Sequence, residues 1–366
     1  MRVAVDARFL AKDDYAVQFL KDVFYILAQD DKQHQFVFFV DSNYSLPASL
    51  PNIIAVPFSS SLSFFTQFKW HFFGLAFVLK KYRADVLVTL NGKACFTHSL
   101  PQVVIINNLH LPSAGFGKFF RERLTKASLA KAKRIGTPSG FVKNAIVEQY
   151  KLRDEKVKVT GISASAVFKP LNWEKREEIK EKYAQGCEYF IYRSVFTAGG
   201  NLLNTLKAFS IFKKWQKTNM KLLIAGKIDK EDNKHLGKLS TYKYRNEVIL
   251  LPALTEPELA DVLGAAYAML FLPLHPGFEM PVVEALRCEL PLIISIHNSF
   301  AELAGEAALY ADPANPAEIS EQMKKIFKDE PLRARLVENG KHKTESHNWQ
   351  NIRQAVWQLI EQSVST

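Results

Sequence analysis

Short, nearly unbroken apolar runs alternate with helical stretches along most of this chain, and that alternation constrains its fold more than any other feature. RVAVDA, QFVFFV, NIIAVPF, DVLVTL and QVVIIN follow one another through the first 107 residues. Each is rich in β-branched or aromatic residues and shows no polar alternation, as expected of strands buried on both faces of a parallel sheet. The stretches 15–29 and 64–82 between them read as helices. Strand–helix repetition of this kind predicts a doubly wound α/β sheet. After KVKVTGI, the charged helical segment LNWEKREEIKEKYAQG leads to a second set: EYFIYRSVF, MKLLIAG, NEVILLPA, YAMLFLPL and LPLIISI. Two sheets in tandem are therefore expected, with a ligand cleft beyond the carboxyl ends of the strands.

Charge divides the chain unevenly. Of 48 Lys and Arg and 37 Asp and Glu, residues 1–170 hold 23 and 12, and residues 171–366 hold 25 and 25. The net +11 thus belongs wholly to the first half. Such asymmetry speaks of partners rather than fold. It fits a solubilising face, an anionic membrane surface or a polyanionic acceptor. No basic–aromatic recognition motif accompanies it, so no nucleic acid is expected. Cys95, Cys187 and Cys288 lie far apart without metal-type pairing and read as reduced thiols. MRVAVDARFL runs straight into a strand, and the apolar region at 62–79 is broken by Gln67, Lys69, Trp70 and His71. Neither a signal peptide nor a spanning helix is expected. The expected location is cytoplasmic, peripheral at the inner face of the membrane.

Three consecutive segments carry a family resemblance. FLPLHPGFEMPVVEALRCELPLIIS, then ELAGEAALYADPANPAEISEQM, then LRARLVENGKHKTESHNWQNIRQAV, resemble the retaining group-1 glycosyltransferases. Upstream, YFIYRSVFTAGGNLLNTLKAFSIFKK is similar to that family's strand, phosphate-binding turn and helix. KLLIAGK and EVILLPALTEPELADVLGAAYA follow in order, and VAVDARFL, QVVIINNLH and AKRIGTPSGFVKNAI match more loosely. The resemblance implies an α/β fold of GT-B architecture, two Rossmann-like domains facing a cleft. It implies an acceptor-side domain over 1–170, a donor domain over 171–345 and a helix over 346–366 crossing back. It further implies transfer of a hexose from a nucleotide-diphosphate sugar to a glycan or lipid-linked acceptor, with retention and without metal or cofactor.

The same resemblance implies the site. A helix N-terminus favours negative charge through unpaired N–H groups and the macrodipole. Gly277 and Phe278 would form the loop before a helix starting near Pro281, and with Met280 and Pro281 they would hold the nucleotide diphosphate. The turn Gly199, Gly200 and Asn201 would hold phosphate from the other side. Glu284 would accept the ribose hydroxyls, while Glu279 and Asn107 would lie nearest the sugar as catalytic candidates. A plainer reading of Glu284 stays open, that of a first-turn carboxylate complementing the helix dipole.

Several positions depart from the family pattern. Pro276 stands where the first glutamate of a Glu-x7-Glu pair is usual, and Gly199-Gly200 where Arg-Lys binds phosphate. Asn107-Asn108 replaces His-Asp, and the segment from Tyr15 to Phe19 replaces a Gly-rich turn. Two lost cations matter, because charge-assisted contacts there contribute about 1.5–3 kcal/mol each. Arg193 and Lys227, at the ends of donor-domain strands, are the candidate substitutes. The departures leave two readings: a remodelled active site, or a catalytically silent protein acting as glycan-binding or partner subunit. His110, His275 and His297 fall near the expected site, without any metal-binding motif.

Two stretches suggest membrane contact. LSFFTQFKWHFFGLAFVLKKYR is aromatic and ends in a basic cluster, and GKFFRERLTKASLAKAKR carries seven cations against Glu122. Basic amphipathic segments bind anionic bilayers, and the plainer reading is a core helix followed by a solvated face.

Overall fold

The computed structural model describes every residue except 9–13, 43, 45–48, 59–68, 91, 107–117, 194–200, 227–236, 238, 275–278 and 366, and no side chain of 14, 15 or 118–121. It divides into two compact units, Met1–Ile162 with Trp349–Thr366, and Ser163–Asn348.

The first unit is built on a seven-stranded sheet of order β3-β2-β1-β4-β5-β6-β7. Its strands are β1 (Arg2–Asp6), β2 (Gln35–Asp41), β3 (Ile53–Phe58), β4 (Val86–Thr89), β5 (Gln102–Ile105), β6 (Arg134–Thr137) and β7 (Val157–Val159). All the pairings are parallel. β4 and β5 are buried at every position, as unbroken apolar runs require. Chain order reverses between β1 and β4, so β1 leads outward one way and β4 the other. Crossovers there leave the sheet on opposite faces and open a crevice at the strands' carboxyl ends.

The second unit repeats the plan with six strands in the order β10-β9-β8-β11-β12-β13. These are β8 (Tyr189–Arg193), β9 (Lys221–Ala225), β10 (Val248–Leu250), β11 (Ala268–Phe271), β12 (Leu292–Ser295) and β13 (Ala308–Ala311). Its reversal falls between β8 and β11. Phe190, Phe209, Phe212, Leu222, Leu270, Ile319 and Met323 belong to one buried cluster joining the sheet to the helices Leu202–Trp215 and Pro316–Lys328. Local signals start the helices. Thr255 and Glu258 form a reciprocal capping box, and Asn315 accepts from the backbone of Ala317 and Glu318.

Two strands, β6 and β13, are absent from the apolar runs read above. The sequence RIGT of β6 contains a glycine, which weakens a strand unless another backbone must come close. Here it must. The C-terminal helix Trp349–Val364 lies over this sheet. A Cβ on Gly136 would sit 2.7 Å from Ile105 Cδ1, 2.8 Å from Thr160 Cγ2 and 3.3 Å from Leu359 Cδ1 of that helix. The helix is further tied by Trp349 edge-on to Phe19, by Trp357 against Phe36 and His34, and by Arg353 Nη1 donating to the Asp22 carbonyl at 3.0 Å. The stretch 15–29 is helical as expected, but it widens into a π-type segment over Leu20–Tyr25, and a second such segment spans Trp70–Gly74.

Gly136→Ala should therefore force the helix and β5 apart and destabilise the first unit by about 1–3 kcal/mol, the usual cost of overpacking. Urea unfolding followed by circular dichroism measures this; an unchanged midpoint would show that the flexible methyl groups yield freely.

Candidate functional site

A parallel sheet holds polar side chains beside a ligand at its carboxyl edge, and the switch point is where the crevice opens. In the second unit this edge carries Arg193, the last residue of β8, and the helix Met280–Arg287 that follows β11. Met280 through Leu286 are all buried, which seats the helix in the unit. Proline at Pro281 suits its first turn, where a missing N–H costs no hydrogen bond. Glu279 occupies the N-cap with φ −96° and ψ −11°, and its side chain makes no capping bond. It is buried all the same.

Glu284 is the fifth residue of this helix. The sequence reading placed it in the first turn, and the structure corrects that: the dipole's influence falls off within one turn. The residue is instead only 8% exposed, with Arg193 Nη2 lying 3.5 Å from Oε2. A charge taken this far out of water needs a counter-charge, and Arg193 supplies one across 91 positions of chain. The sequence foresaw Arg193 only as a substitute phosphate cation. A basic residue ending the otherwise apolar YFIYR was the available signal; its pairing with Glu284 was not legible.

Asn201 caps the helix Leu202–Trp215 at the carboxyl side of β8. Its backbone N–H donates to Tyr192 Oη at 2.9 Å and its Nδ2 to the Pro313 carbonyl at 2.6 Å, while Asn204 Nδ2 donates to its Oδ1 at 2.9 Å. The side chain thereby fixes the turn to the β13 end of the sheet. His297 caps the next helix, Asn298–Ala304, and packs on Phe300 with ring centroids 5.8 Å apart. Ser295, ending β12, donates to the Pro273 carbonyl at 2.8 Å. The structure thus gathers Arg193, Glu284, Glu279 and Asn201 along one carboxyl edge. Asn107, Gly199, Gly200, Gly277 and Phe278 lie outside the described residues, as do Pro276, Lys227, His110 and His275. Among the described residues no three His, Cys, Asp or Glu converge as a metal set.

The first unit also carries charge at its switch point. Asp6, ending β1, is fully buried, with Arg8 Nε 3.4 Å from Oδ1 and Trp70 Nε1 donating to Oδ2 at 3.2 Å. The Arg8 guanidinium stacks 3.3 Å over the Trp70 ring. Nearby, among the described residues, no helix is long and apolar enough to cross a membrane. The helix Leu75–Lys81 and the turn before it instead present Phe73 and Phe77, 67% and 71% exposed, together with Lys80 and Lys81.

Comparison with known proteins agrees with this architecture. Residues 174–343 match the model of the glycosyl transferases group 1. The chain is 22% identical over 233 residues to O-antigen chain mannosyltransferase B of Escherichia coli, covering 63% of this chain and 61% of that protein. It is 21% identical over 262 residues to the serotype-specific mannosyltransferase WbdA of Escherichia coli, covering 70% of this chain and 32% of that one. The chain therefore spans from a third to three fifths of these relatives' length. Among solved structures, Anabaena Alr3699/HepE in complex with UDP-glucose superposes with a TM-score of 0.74 over the full length of both chains at 14% identity. The fold is of GT-B type, two parallel-sheet Rossmann-like units.

The Arg193–Glu284 pair yields a stability test. Arg193→Met leaves Glu284 buried without this partner and should lower the unfolding free energy of the second unit by about 1–3 kcal/mol. Adding Glu284→Gln should recover part of the loss, because the carboxamide needs no counter-charge. Thermal unfolding of the four proteins in the cycle checks this, and strictly additive effects would show that the pair is not coupled.

Proposed function

Since residues 174–343 match the model of the glycosyl transferases group 1, we propose that this chain moves a hexose from a nucleotide-diphosphate sugar to a glycan or lipid-linked acceptor in cell-envelope polysaccharide synthesis. Mannose is the first hexose to test, because the E. coli proteins it resembles are mannosyltransferases. The observation that carries the reading is the buried Glu284 carboxylate beside Arg193 at the carboxyl edge of a doubly wound sheet.

In this reading Glu284 accepts hydrogen bonds from the ribose hydroxyls. Arg193 holds Glu284 in place and offers its remaining N–H groups to the diphosphate, taking over charge that the Gly199-Gly200 turn lacks. A guanidinium is suited to both tasks, since its five donors form a rigid fork. The N-terminus of the helix Met280–Arg287, with Gly277, Phe278, Met280 and Pro281, receives the phosphates. Gly199 and Gly200 offer backbone donors from the second side, and Asn201, whose N–H goes to Tyr192, fixes that turn. Glu279 and Asn107 lie nearest the sugar, and the leaving diphosphate departs with retention at the anomeric carbon. Stabilising charge as it develops on that group is the main contribution to rate. The chemistry proposed requires no metal or cofactor. Pro276 and the Gly-Gly turn favour one second reading, a silent paralogue that binds glycan or a catalytic partner.

Acceptor access fits a peripheral position at the inner face of the membrane. Phe73 and Phe77 stand one helical turn apart on the exposed face of their helix, and Lys80, Lys81 and Arg83 follow. Aromatic side chains enter the interface while basic ones meet anionic headgroups, each cation contributing about 1 kcal/mol.

Calorimetric titration with UDP-, GDP-, ADP- and TDP-sugars identifies the donor. Glu284→Ala should weaken its binding by about 1–3 kcal/mol, since the ribose hydroxyls lose their acceptor. An unchanged dissociation constant would remove Glu284 from the site. Binding without transfer to any supplied glycan favours the silent paralogue. For the membrane, vesicles containing anionic lipid should retain the protein at low salt and release it as salt rises. Phe73→Ser with Phe77→Ser should reduce retention, and equal retention by neutral vesicles would rule out the electrostatic contribution.

A further inference from the structure

The crevice of the first unit holds two uncharged polar groups that neither its fold nor the donor chemistry uses. Thr89, the last residue of β4, stands in register with Asp6 of β1 across the switch point, and both are fully buried. Each follows a residue of one apolar cluster, Leu87 and Ala4, by two positions. Both side chains therefore lie on the face of the sheet that Trp70 covers. The Thr89 hydroxyl has no hydrogen-bond partner. His71 follows Trp70, is 4% exposed and lies close enough to feel the Asp6 carboxylate. Neither of its ring nitrogens makes a hydrogen bond of good geometry. Burial above all pushes the imidazole down to about 4, against the pull of Asp6, so it is neutral at pH 7. The Ala94 backbone works the other way, as a carbonyl facing the ring N–H does. The N–H thus turns toward Ala94, and the other nitrogen keeps its lone pair.

Native proteins leave few buried polar groups without partners, because an unmade hydrogen bond costs the desolvation of the whole group. What fills this place must donate to the imidazole lone pair and exchange a hydrogen bond with a hydroxyl. An oxyanion offers only acceptors, and the lone pair repels it. For a metal, no set of three His, Cys, Asp or Glu gathers here among the described residues. A hydroxyl group both donates and accepts. Sugars carry several of them in fixed directions, and an open α/β sheet takes its ligand beyond the carboxyl ends of the strands at a switch point.

We propose that Thr89 and His71, at the β1–β4 switch point, bind hydroxyl groups of a neutral sugar, the terminal residue of the acceptor. The His71 lone pair accepts from one hydroxyl, and the Thr89 hydroxyl donates to the same oxygen or to its neighbour. As an acceptor subsite this rests on the transferase reading above; as a sugar site it stands alone. Held without partners until then, the two groups cost the fold stability that the sugar restores.

The experiment is calorimetric titration with methyl α-mannoside in the absence of any nucleotide sugar, the mannoside being chosen for the mannosyltransferases that the chain resembles. Wild-type protein should bind it, or the corresponding glucoside or N-acetylglucosaminide, saturably, and added inorganic phosphate should not compete. Thr89→Val should weaken binding about three- to tenfold, the worth of one neutral hydrogen bond. Because it removes an orphaned hydroxyl, it should also leave the thermal midpoint unchanged or raised. Thr89→Ser, which keeps the hydroxyl, should bind as wild type does, and His71→Phe should weaken binding by a factor similar to that of Thr89→Val. A parallel titration with nucleotide sugars keeps the two readings apart. Donor binding without binding of any of the three glycosides overturns this subsite alone, and glycoside binding without donor binding overturns the transferase reading alone. The proposal also fails if phosphate competes, or if Thr89→Val binds as tightly as wild type. It fails as well if Thr89→Val lowers the midpoint, which would show that the hydroxyl already holds an enclosed water.

Discussion

A strand buried on both faces has no room for charge along its length, so charge in these units gathers where strands end. β1 finishes in Asp6 and β8 in Arg193; Arg193 is the one charged residue of β8, and β1 has only Arg2 besides, at its opposite end. Both stand at the point where chain order reverses. Placing a charge there puts it at the rim of the apolar interior, where attraction is stronger than in water and desolvation is incomplete. Everything proposed for function depends on that constraint. Helical segments between strands bring the partners: the one after β11 brings Glu284 to Arg193, and the one before β4 brings Trp70 and His71 to Asp6.

Most of the fold could be read from the sequence because apolar continuity is a local property. Runs such as QFVFFV and MKLLIAG announce strands by themselves, and the charged segment after KVKVTGI announces the passage to the second set. β6 and β13 escaped because their residues answer to neighbours far away in the chain. Gly136 is a poor strand residue by itself, and it is there because Leu359 of the C-terminal helix comes within 3.3 Å of where a Cβ would be. In β13, ALYA is short and only its ends are buried, with β12 on one side. The π-type segments were equally hidden, since a widened turn leaves no fixed pattern of residue types.

The site was legible to a lesser degree. Glu284 could be found because the residues around it resemble a family segment, yet its position was misjudged by one residue, enough to take it out of the first turn. Its contact with Arg193 joins residues 91 apart. Asn201 was singled out by its place after the Gly-Gly turn; the structure adds that its carboxamide is held by Pro313 and Asn204. Its own N–H is taken by Tyr192 Oη, so Asn201 shapes the turn rather than offering a donor. The cluster around Asp6 spans Arg8, Trp70, His71, Thr89 and Lys93, and no motif length covers such spacing. Only parallel register, which sets Asp6 opposite Thr89, brings it together.

Each switch point joins a charged strand end to a partner of opposite charge. Arg193 lies 3.5 Å from Glu284, and Asp6 meets Arg8 at 3.4 Å and Trp70 at 3.2 Å. A buried ion pair adds little stability by itself, because desolvation offsets the attraction. Its place at a switch point is better explained by what it orients. In the reading proposed above, Arg193 keeps the Glu284 carboxylate in place while the ribose hydroxyls donate to it, so the ion pair and the donor site would stand or fall together.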